Sequence, residues 1–278
     1  MGHSKYVVDA LTRLWPLGRL AYWLGRQPIA GRLLEPIFGA LDSGAVIIPV
    51  NETLQGTQSV ELPYQVLKPL VEQASVRFVL NQCVCRRGEG CQHYPQDLGC
   101  LFLGNGAADL HPTLGNQVSA EEALCHVRQA MDLGLVPMVV QSAFDAWMFG
   151  VPYRRTLGVC FCCDCCCAVR RGLRDGPRAF GDQIGRLPGL TVNVGPECVG
   201  CGLCVEVCYV KAISILDGHV VIDGRCKGCG RCVEVCPVRA IHLEMSTEAG
   251  DLENFVAQMG RRVTSDGADE LAARGVSV

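Results

Sequence analysis

The sequence predicts an α+β protein in which a larger, mixed α/β cysteine-rich domain precedes a small domain of hairpins and short helices with two-fold pseudo-symmetry. A run of four cysteines occurs twice near the C-terminus, starting at Cys198 and again 28 residues later at Cys226. Of the 18 positions aligned from these two cysteines, 12 are identical, so the run is an internal repeat. Upstream, apolar runs bounded by Gly or Pro alternate with helical patterns, which is typical of a mixed α/β domain.

The composition indicates a metal-binding chain in a reducing compartment. The 19 cysteines in 278 residues far exceed what a globular core needs, and they favour metal ligation over a disulfide scaffold. The formal net charge of −3 and the lack of a basic block argue against nucleic acid as a partner. No apolar run approaches the roughly 20 residues that span a bilayer. Because the first residues also lack a signal-peptide pattern, we expect a cytoplasmic location.

Changes in composition predict five segments along the chain. They are an N-terminal helical and mixed region (1–80), a cysteine-rich cluster-binding region that forms one domain with it (81–175), a linker rich in Gly, Arg and Pro (176–189), the repeat domain (190–245) and a C-terminal tail (246–278). Residues 5–27 predict a helix that is broken or kinked at Pro16. This helix either packs on the protein's own core or contacts a membrane surface or a partner.

Local patterns predict the elements of the larger domain. Short apolar runs predict three buried strands, which are Ala45–Val50, Val76–Leu80 and Leu135–Val140. A capping box from Ser119 to Glu122 opens a helix that ends at Gly134. Cys125 lies on this helix, and we expect it to be structural because a single helical cysteine rarely has another role.

The repeat has the cysteine spacing of a cluster-binding loop. Each copy reads Cys-x2-Cys-x2-Cys-x3-Cys, and the glycines between the cysteines permit a tight backbone. A [4Fe–4S] cluster needs four thiolates, and two intervening residues let one loop supply three of them. Zinc fits less well because it usually takes two Cys-x2-Cys pairs, and the run is too crowded for disulfides. The candidate ligands are Cys198, Cys201, Cys204, Cys208, Cys226, Cys229, Cys232 and Cys236.

A second group of cysteines follows the predicted strand that ends at Leu80. It has the spacing C-x-C-x5-C-x8-C in a Gly-rich loop, and its members are Cys83, Cys85, Cys91 and Cys100. Four cysteines in so short a loop predict a metal centre. We favour a third iron–sulfur cluster over zinc or unrelated buried thiols, because the chain already carries the repeat. Arg86 and Arg87 either offset the charge of these thiolates or lie in solvent.

A third group places six cysteines within eight residues: Cys160, Cys162, Cys163, Cys165, Cys166 and Cys167. Neighbouring residues cannot all reach one cluster, so only a subset of these upstream cysteines is expected to bind metal. Three roles stay open. The group could complete the centre begun at Cys83–Cys100, hold a separate cluster, or supply redox-active thiols beside one.

From Cys198 to Met245 the sequence resembles the bacterial-type two-[4Fe–4S] ferredoxin domain. The resemblance implies that the fourth cysteine of each copy crosses to the other cluster. One cluster would then be held by Cys198, Cys201, Cys204 and Cys236, and the other by Cys226, Cys229, Cys232 and Cys208. Tyr209 stands where that family usually has Pro, so the local turn and the potential of one cluster can differ.

The region upstream of the repeat resembles a looser group of iron–sulfur proteins of anaerobic bacteria. The shared features are a C-x-C-R loop, a GC-x-x-LG segment at Gly99–Gly104, a helix with an EEA start and a CC-x-CCC run. This resemblance implies redox work in anaerobic metabolism and brings no defined reaction.

Three functions follow from these patterns. The leading hypothesis is an electron-transfer protein that relays single electrons between two ferredoxin-type clusters, a third N-terminal cluster and a redox partner protein. The second is an oxidoreductase whose N-terminal cluster or cysteine site reduces a small substrate with electrons from the repeat domain. The third is a scaffold for cluster or metal assembly. No residue is assigned a catalytic role. No flavin or nucleotide motif is present, so a catalyst would have to use the cluster itself.

Overall fold

The computed structural model describes residues 1–33, 43–49, 62–245 and 251–264, and its mixture of helices and sheets confirms the α+β class. A seven-stranded sheet forms the centre of the larger domain, with the strand order β4-β2-β3-β6-β5-β1-β7. Neighbouring strands are antiparallel except β1 and β7, which are parallel. The strands are β1 Ser43–Ile47, β2 Arg77–Leu80, β3 Leu101–Leu103, β4 Gly115–Gln117, β5 Val136–Ser142, β6 Leu157–Cys162 and β7 Ile184–Arg186.

Helices surround this sheet and connect its strands. They are α1 Lys5–Thr12, α2 Trp15–Gly25, α3 Leu62–Gln73, α4 Val84–Gly88, α5 Ala120–Asp132, α6 Ala143–Phe149, α7 Ala168–Asp175 and α8 Arg178–Asp182, with 3₁₀ turns at Asn105–Asp109 and Tyr153–Arg155. The predicted break at Pro16 is confirmed, since Pro16 lies in the first turn of α2. Pro is tolerated there because the first N–H groups of a helix have no partner within it.

Helix α5 begins and ends as its sequence predicts. The Glu122 amide donates to the Ser119 hydroxyl over 3.2 Å, and the Ser119 amide donates to the Glu122 carboxylate over 2.8 Å. These reciprocal bonds are a complete capping box. Gly134 follows the helix with φ +71°, a conformation that glycine adopts without steric cost.

The small C-terminal domain consists of two antiparallel pairs of strands, one of which is a hairpin, and two short helices. Strand β8 (Leu190–Val194) pairs with β11 (Ile241–Met245), and β9 (Ile213–Leu216) pairs with β10 (His219–Ile222). The helices are α9 (Leu203–Val207) and α10 (Arg231–Glu234). This arrangement agrees with the predicted domain of hairpins and short helices.

The backbone of this domain repeats as the sequence does. Gly200 and Gly228 both have φ +65°. Lys211 and Arg239, which are also 28 residues apart, have φ 55° and φ 51°. Non-glycine residues rarely adopt positive φ, so its recurrence at matched positions indicates that both copies impose the same turn.

Residues 176–189, which the sequence predicts as the linker between the two domains, contain α8 and β7. Ile184 of β7 pairs with Ala45 of β1. Ile184 and Leu187 are buried in the main core. Because the segment is rich in Gly, Arg and Pro, its sequence does not predict this three-residue edge strand.

A further helix, α11 (Asp251–Val263), packs the predicted tail against the body of the protein. Phe255 and Met259 are buried, and the Ser75 amide donates to the Val263 carbonyl over 2.9 Å. Helix α11 lies against α3. The rest of the predicted tail, 246–250 and 265–278, lies outside the described residues.

Helices α1 and α2 are only partly covered. Among the described residues, no helix is long and apolar enough to cross a bilayer. Trp15 packs against a buried cluster that contains Val8, so these helices do rest on the protein's own core. Tyr6, Leu17 and Trp23 are exposed, and they give the outer face an apolar character.

The docking of α11 predicts a clear stability effect. Phe255→Ala should lower the free energy of unfolding by about 3 kcal/mol, because it leaves a cavity between α11 and α3. The exposed Glu253→Ala on the same helix should change it by less than about 0.5 kcal/mol. Anaerobic thermal unfolding of both variants measures this, and equal melting temperatures would contradict the packing.

Candidate metal centres

One group of thiols in the small domain mixes the two copies of the repeat. Burial raises the pKa of Cys232, and neighbouring thiolates raise it further: Cys229, Cys226 and Cys208. Cys208 belongs to the first copy, so it lies with the first three cysteines of the second. Burial likewise raises the pKa of Cys204, with further contributions from Cys201 and Cys198 of its own copy. Cys236 packs in a small core that contains cysteines of both copies: Cys198, Cys204, Cys208 and Cys232.

The fourth cysteine of each copy has the same backbone environment. The Ala212 amide donates to the Cys208 sulfur over 3.3 Å, and the Ala240 amide donates to the Cys236 sulfur over 3.2 Å. These amides are 28 residues apart, as are the sulfurs that they contact. Hydrogen bonds to sulfur stabilise a thiolate and adjust the potential of a bound cluster, so both positions are prepared for ligation.

A compact group of four thiols, which we call the upstream tetrad, joins the two cysteine-rich stretches of the larger domain. Its members are Cys91, Cys163, Cys165 and Cys166, and their sulfurs all lie within 4.8 Å of one another. The sulfurs of Cys91 and Cys165 are 3.6 Å apart. The Cys166 amide donates to the Cys163 sulfur over 3.3 Å. Four converging, largely buried thiols without disulfides are suited to holding a metal.

Two further pairs of thiols lie near the N-termini of α4 and α7, and the two pairs are close to each other. Cys83 is hydrogen-bonded to Cys85, and Cys162 is hydrogen-bonded to Cys167. Cys167 is also near enough to Cys85 to raise its pKa. The hydrogen bond from Cys85, aided by Arg86, lowers the pKa of Cys83 despite its burial. These two pairs therefore favour the thiolate form at one member each.

The remaining predicted site residues, Cys100 and Cys160, form a third pair. Their sulfurs are 3.5 Å apart. The four cysteines of the 83–100 loop thus lie in three places, because Cys91 joins the tetrad while Cys83 and Cys85 lie with Cys167. Cys125 is exposed on α5 and belongs to none of these groups.

Arg86 is buried among these thiols. It is 1% exposed, and its guanidinium donates to the Phe161 carbonyl over 2.8 Å and to the Leu98 carbonyl. Its Nε has no hydrogen-bond partner within the described part of the chain. Burial acts to lower the pKa of Arg86, but nearby thiolates raise it overall: Cys83, Cys100, Cys163 and Cys162. A buried cation without a carboxylate partner fits an anionic group held by these sulfurs.

Arg87, the next residue along the chain, contacts different partners from those of Arg86. It forms an ion pair with Asp9 of α1 at 3.1 Å and donates to Gln82. It therefore attaches α1 to the cysteine loop and does not compensate the thiols.

A second buried arginine lies between the larger domain and the small one. The Arg170 guanidinium stacks over the Tyr209 ring at 4.0 Å and is 2% exposed. Burial acts to lower the pKa of Arg170, but its surroundings raise it overall: Tyr209, Cys229, Cys162 and Cys167. Arg170 is thus influenced by thiols of both domains at once. Its Nε, like that of Arg86, has no partner in the described ranges.

An ion pair also connects the larger domain with the small domain. Asp164, inside the dense cysteine run, lies 2.8 Å from the guanidinium of Arg231 at the start of α10. Arg186 of β7 also donates to the Cys226 carbonyl over 3.0 Å. The second group of ferredoxin-type thiols is therefore held against the larger domain from two sides.

A cavity of about 400 Å³, which we call the thiol cavity, lies beneath α2. Apolar side chains make up most of its wall, including Trp15, Phe102 and Phe149. The Glu89 carboxylate forms ion pairs with Arg19 of α2 and Arg171 of α7, and these hold α2 in place. Cysteines line the cavity: Cys83, Cys85, Cys100, Cys160, Cys162, Cys163 and Cys167.

Asp145 of α6 is an acidic residue in the wall of the thiol cavity. Burial raises its pKa to about 6, because a carboxylate is poorly solvated among apolar side chains. Its own amide donates to the Ser142 hydroxyl over 3.2 Å, at the start of the helix. A carboxyl with such a pKa can hold or release a proton near neutral pH.

Comparison with known proteins identifies one part of the chain. Residues 197–240 match the family of 4Fe-4S dicluster domains. No curated protein and no solved structure matches the chain significantly. The chain therefore contains an iron–sulfur, ferredoxin-like domain. That match and the converging upstream thiols indicate an iron–sulfur protein with a role in electron transfer.

The sequence alone does not indicate a role for Arg170 or Asp145. Arg170 follows Cys167 by three residues, a helical spacing that places it on the same face, but a neighbouring arginine obscured this signal. Tyr209 was noticed as a departure from the ferredoxin pattern, without its arginine partner. Asp145 follows a buried strand, and no feature of the sequence distinguishes it from a solvated turn residue.

The raised pKa of Asp145 predicts a pH-dependent stability effect. The folded protein retains the proton that the unfolded chain loses near pH 4, so the wild type loses stability as pH rises toward 6 and not beyond. Asp145→Asn should therefore be more stable than the wild type at pH 7.5 by roughly 2 kcal/mol, allowing for solvent in the cavity. Anaerobic melting curves from pH 5 to 8 measure this. A difference that does not grow between pH 5 and 6.5 would contradict it.

Proposed function

We propose that this chain is an iron–sulfur electron-transfer protein that carries two [4Fe–4S] clusters in its small domain and a third centre upstream. Bound clusters supply reversible one-electron transfer. The mixed grouping of the thiols supports the crossed ligand sets, which are Cys198, Cys201, Cys204 and Cys236 for one cluster and Cys226, Cys229, Cys232 and Cys208 for the other. Single electrons would pass between these sites, the upstream centre and a redox partner protein.

The observation that carries this proposal is the contact between Arg170 and Tyr209. Tyr209 directly follows the crossing ligand Cys208, and Arg170 lies three residues after Cys167 of the larger domain. The guanidinium carbon of Arg170 lies 4.0 Å from the centroid of the Tyr209 ring. The two stacked side chains therefore lie between the ferredoxin-type thiols and the upstream thiols. A buried, water-poor contact of this kind gives electrons a short path, and the cation offsets negative charge on both sides.

The upstream tetrad is the best supported ligand set for the third centre. Its sulfurs lie within 4.8 Å of one another. A single tetrahedral zinc with Zn–S bonds of about 2.3 Å would place its sulfurs about 3.8 Å apart. A four-iron cluster separates its thiolates further, because each binds a different iron, so the observed separations lie nearer the zinc value. A zinc ion and an oxidised four-iron cluster each carry a net charge of about −2 with four thiolates, so Arg86 suits either group. We propose an iron–sulfur centre because the chain contains an iron–sulfur domain, with zinc as the competing occupant.

The thiol cavity supports a second candidate function. A pure electron carrier needs no apolar space of about 400 Å³ beside its ligands. Small-molecule sites are mostly apolar hollows with a few convergent polar groups, and this one presents cysteines and Asp145. A reductase that acts on a small molecule would use these features, with electrons supplied through the small domain.

Metal content tests the number of centres. Anaerobically purified wild type should contain about 12 irons per chain, since three clusters of four are proposed. Cys166→Ser should lose about four irons, while Cys125→Ser should retain all of them because that thiol is exposed and isolated. About eight irons together with one zinc in the wild type would show that the tetrad is a zinc site.

Removal of the bridging cation should change a reduction potential. Arg170→Gln should lower the potential of the nearest cluster by tens of millivolts, on the order expected for one charge at a distance of about 10 Å. Arg174→Gln, on the exposed side of α7 and paired with Asp175, is the matched control and should leave the potentials unchanged. Spin-resonance titration at constant iron content measures this, and unchanged potentials in both variants would remove Arg170 from the pathway.

A further inference from the structure

We infer that Cys100 and Cys160 are a redox-active dithiol that reduces small apolar disulfides bound in the thiol cavity. This inference deepens the proposed reductase function, on which it rests for the supply of electrons. It gives a specific role to two cysteines that the tetrad does not use.

The sheet itself holds the two thiols together. Strands β3 and β6 are antiparallel, with Leu101 opposite Val159 and Leu103 opposite Leu157. The next position along the same register places Cys100 opposite Cys160. Their sulfurs are 3.5 Å apart. The proximity thus follows from the strand pairing and does not depend on a mobile loop.

Residues in opposite positions of antiparallel strands have Cβ atoms about 4.5–5.5 Å apart. A relaxed disulfide has Cβ atoms about 3.8 Å apart. A bond across this pair can therefore form with a small adjustment, and the rigid sheet opposes that adjustment. Bonds held in this way are easily reduced again, which suits a pair that alternates between dithiol and disulfide.

Both thiols line the thiol cavity, so a bound molecule can reach them. The neighbouring wall contains Phe102, Met148 and Phe149, which favour aliphatic or aromatic substituents. Arg86 and Asp145 also line the cavity, but Arg86 is bonded to carbonyl groups and turned into the protein. The occupant that fits is an uncharged disulfide with apolar groups, small enough for about 400 Å³.

The reaction is thiol–disulfide exchange. One cysteine thiol loses its proton, and its sulfur attacks a sulfur of the substrate, which breaks the substrate S–S bond and releases one thiol. The second cysteine then attacks the mixed disulfide, which releases the other substrate thiol and leaves a Cys100–Cys160 bond. The substrate gains two electrons and two protons, and the cysteine pair loses them. The pair returns to the dithiol by taking up two electrons from one-electron iron–sulfur donors and two protons from water.

The test uses anaerobic holoprotein and dithiodipyridine, an apolar aromatic disulfide. One equivalent added to the reduced protein should release two equivalents of pyridinethione and produce a Cys100–Cys160 disulfide, identified by mass spectrometry of peptides after alkylation of free thiols. Cys125→Ser should behave as the wild type. Cys100→Ser should release one equivalent and remain trapped as a mixed disulfide on Cys160, and Cys160→Ser should show the reverse.

Two results would overturn the inference. One is a loss of iron in Cys100→Ser or Cys160→Ser, which would make that residue a cluster ligand. The other is a disulfide formed between other cysteines, with the Cys100–Cys160 peptides fully alkylated. Iron content and the spin-resonance spectrum of the small domain are recorded on each variant, so a failure of the electron-transfer proposal is seen separately from a failure of the dithiol.

Discussion

The structure depends on the burial of two arginines among thiolates. Arg86 and Arg170 are almost fully buried, and neither has a carboxylate partner among the residues that the structure describes. Isolated buried cations are costly because they lose their hydration. Here the compensating charge comes from cysteine sulfurs, and a bound cluster of net negative charge would complete it. Under the proposed function, the metal-free chain would keep two incompletely compensated charges at the centre of its fold, so cluster loading and folding would be coupled.

The two arginines lie beside different groups of cysteines. Arg86 lies on the side of the tetrad and the cavity, and Arg170 lies where the larger domain meets the small one. Nineteen cysteines therefore do not form one continuous site. They lie in the small domain, in the upstream tetrad, in three pairs that line the thiol cavity and at one exposed surface position.

The sequence was most informative where ligands are close along the chain. The repeat, the capping box of α5 and the strands at Val76–Leu80 and Leu135–Val140 all follow from local spacing and periodicity, and the structure contains each of them within a few residues. It was least informative where partners are distant. Only the strand register brings Cys100 to Cys160, and only the fold brings Cys91 to a run that begins some 70 residues later. No local pattern records such pairings.

Strand β7 has a consequence for how the protein can operate. It joins the sheet of the larger domain immediately before the small domain begins, and so it removes the freedom that a linker would give. Many electron-transfer proteins swing a tethered carrier between a loading and an unloading position. Under the proposed function, the donor and acceptor sites of this chain would stay at a constant separation, so internal transfer would be governed by tunnelling distance and would be insensitive to solvent viscosity. The slow, encounter-limited step would then be the docking of the external partner.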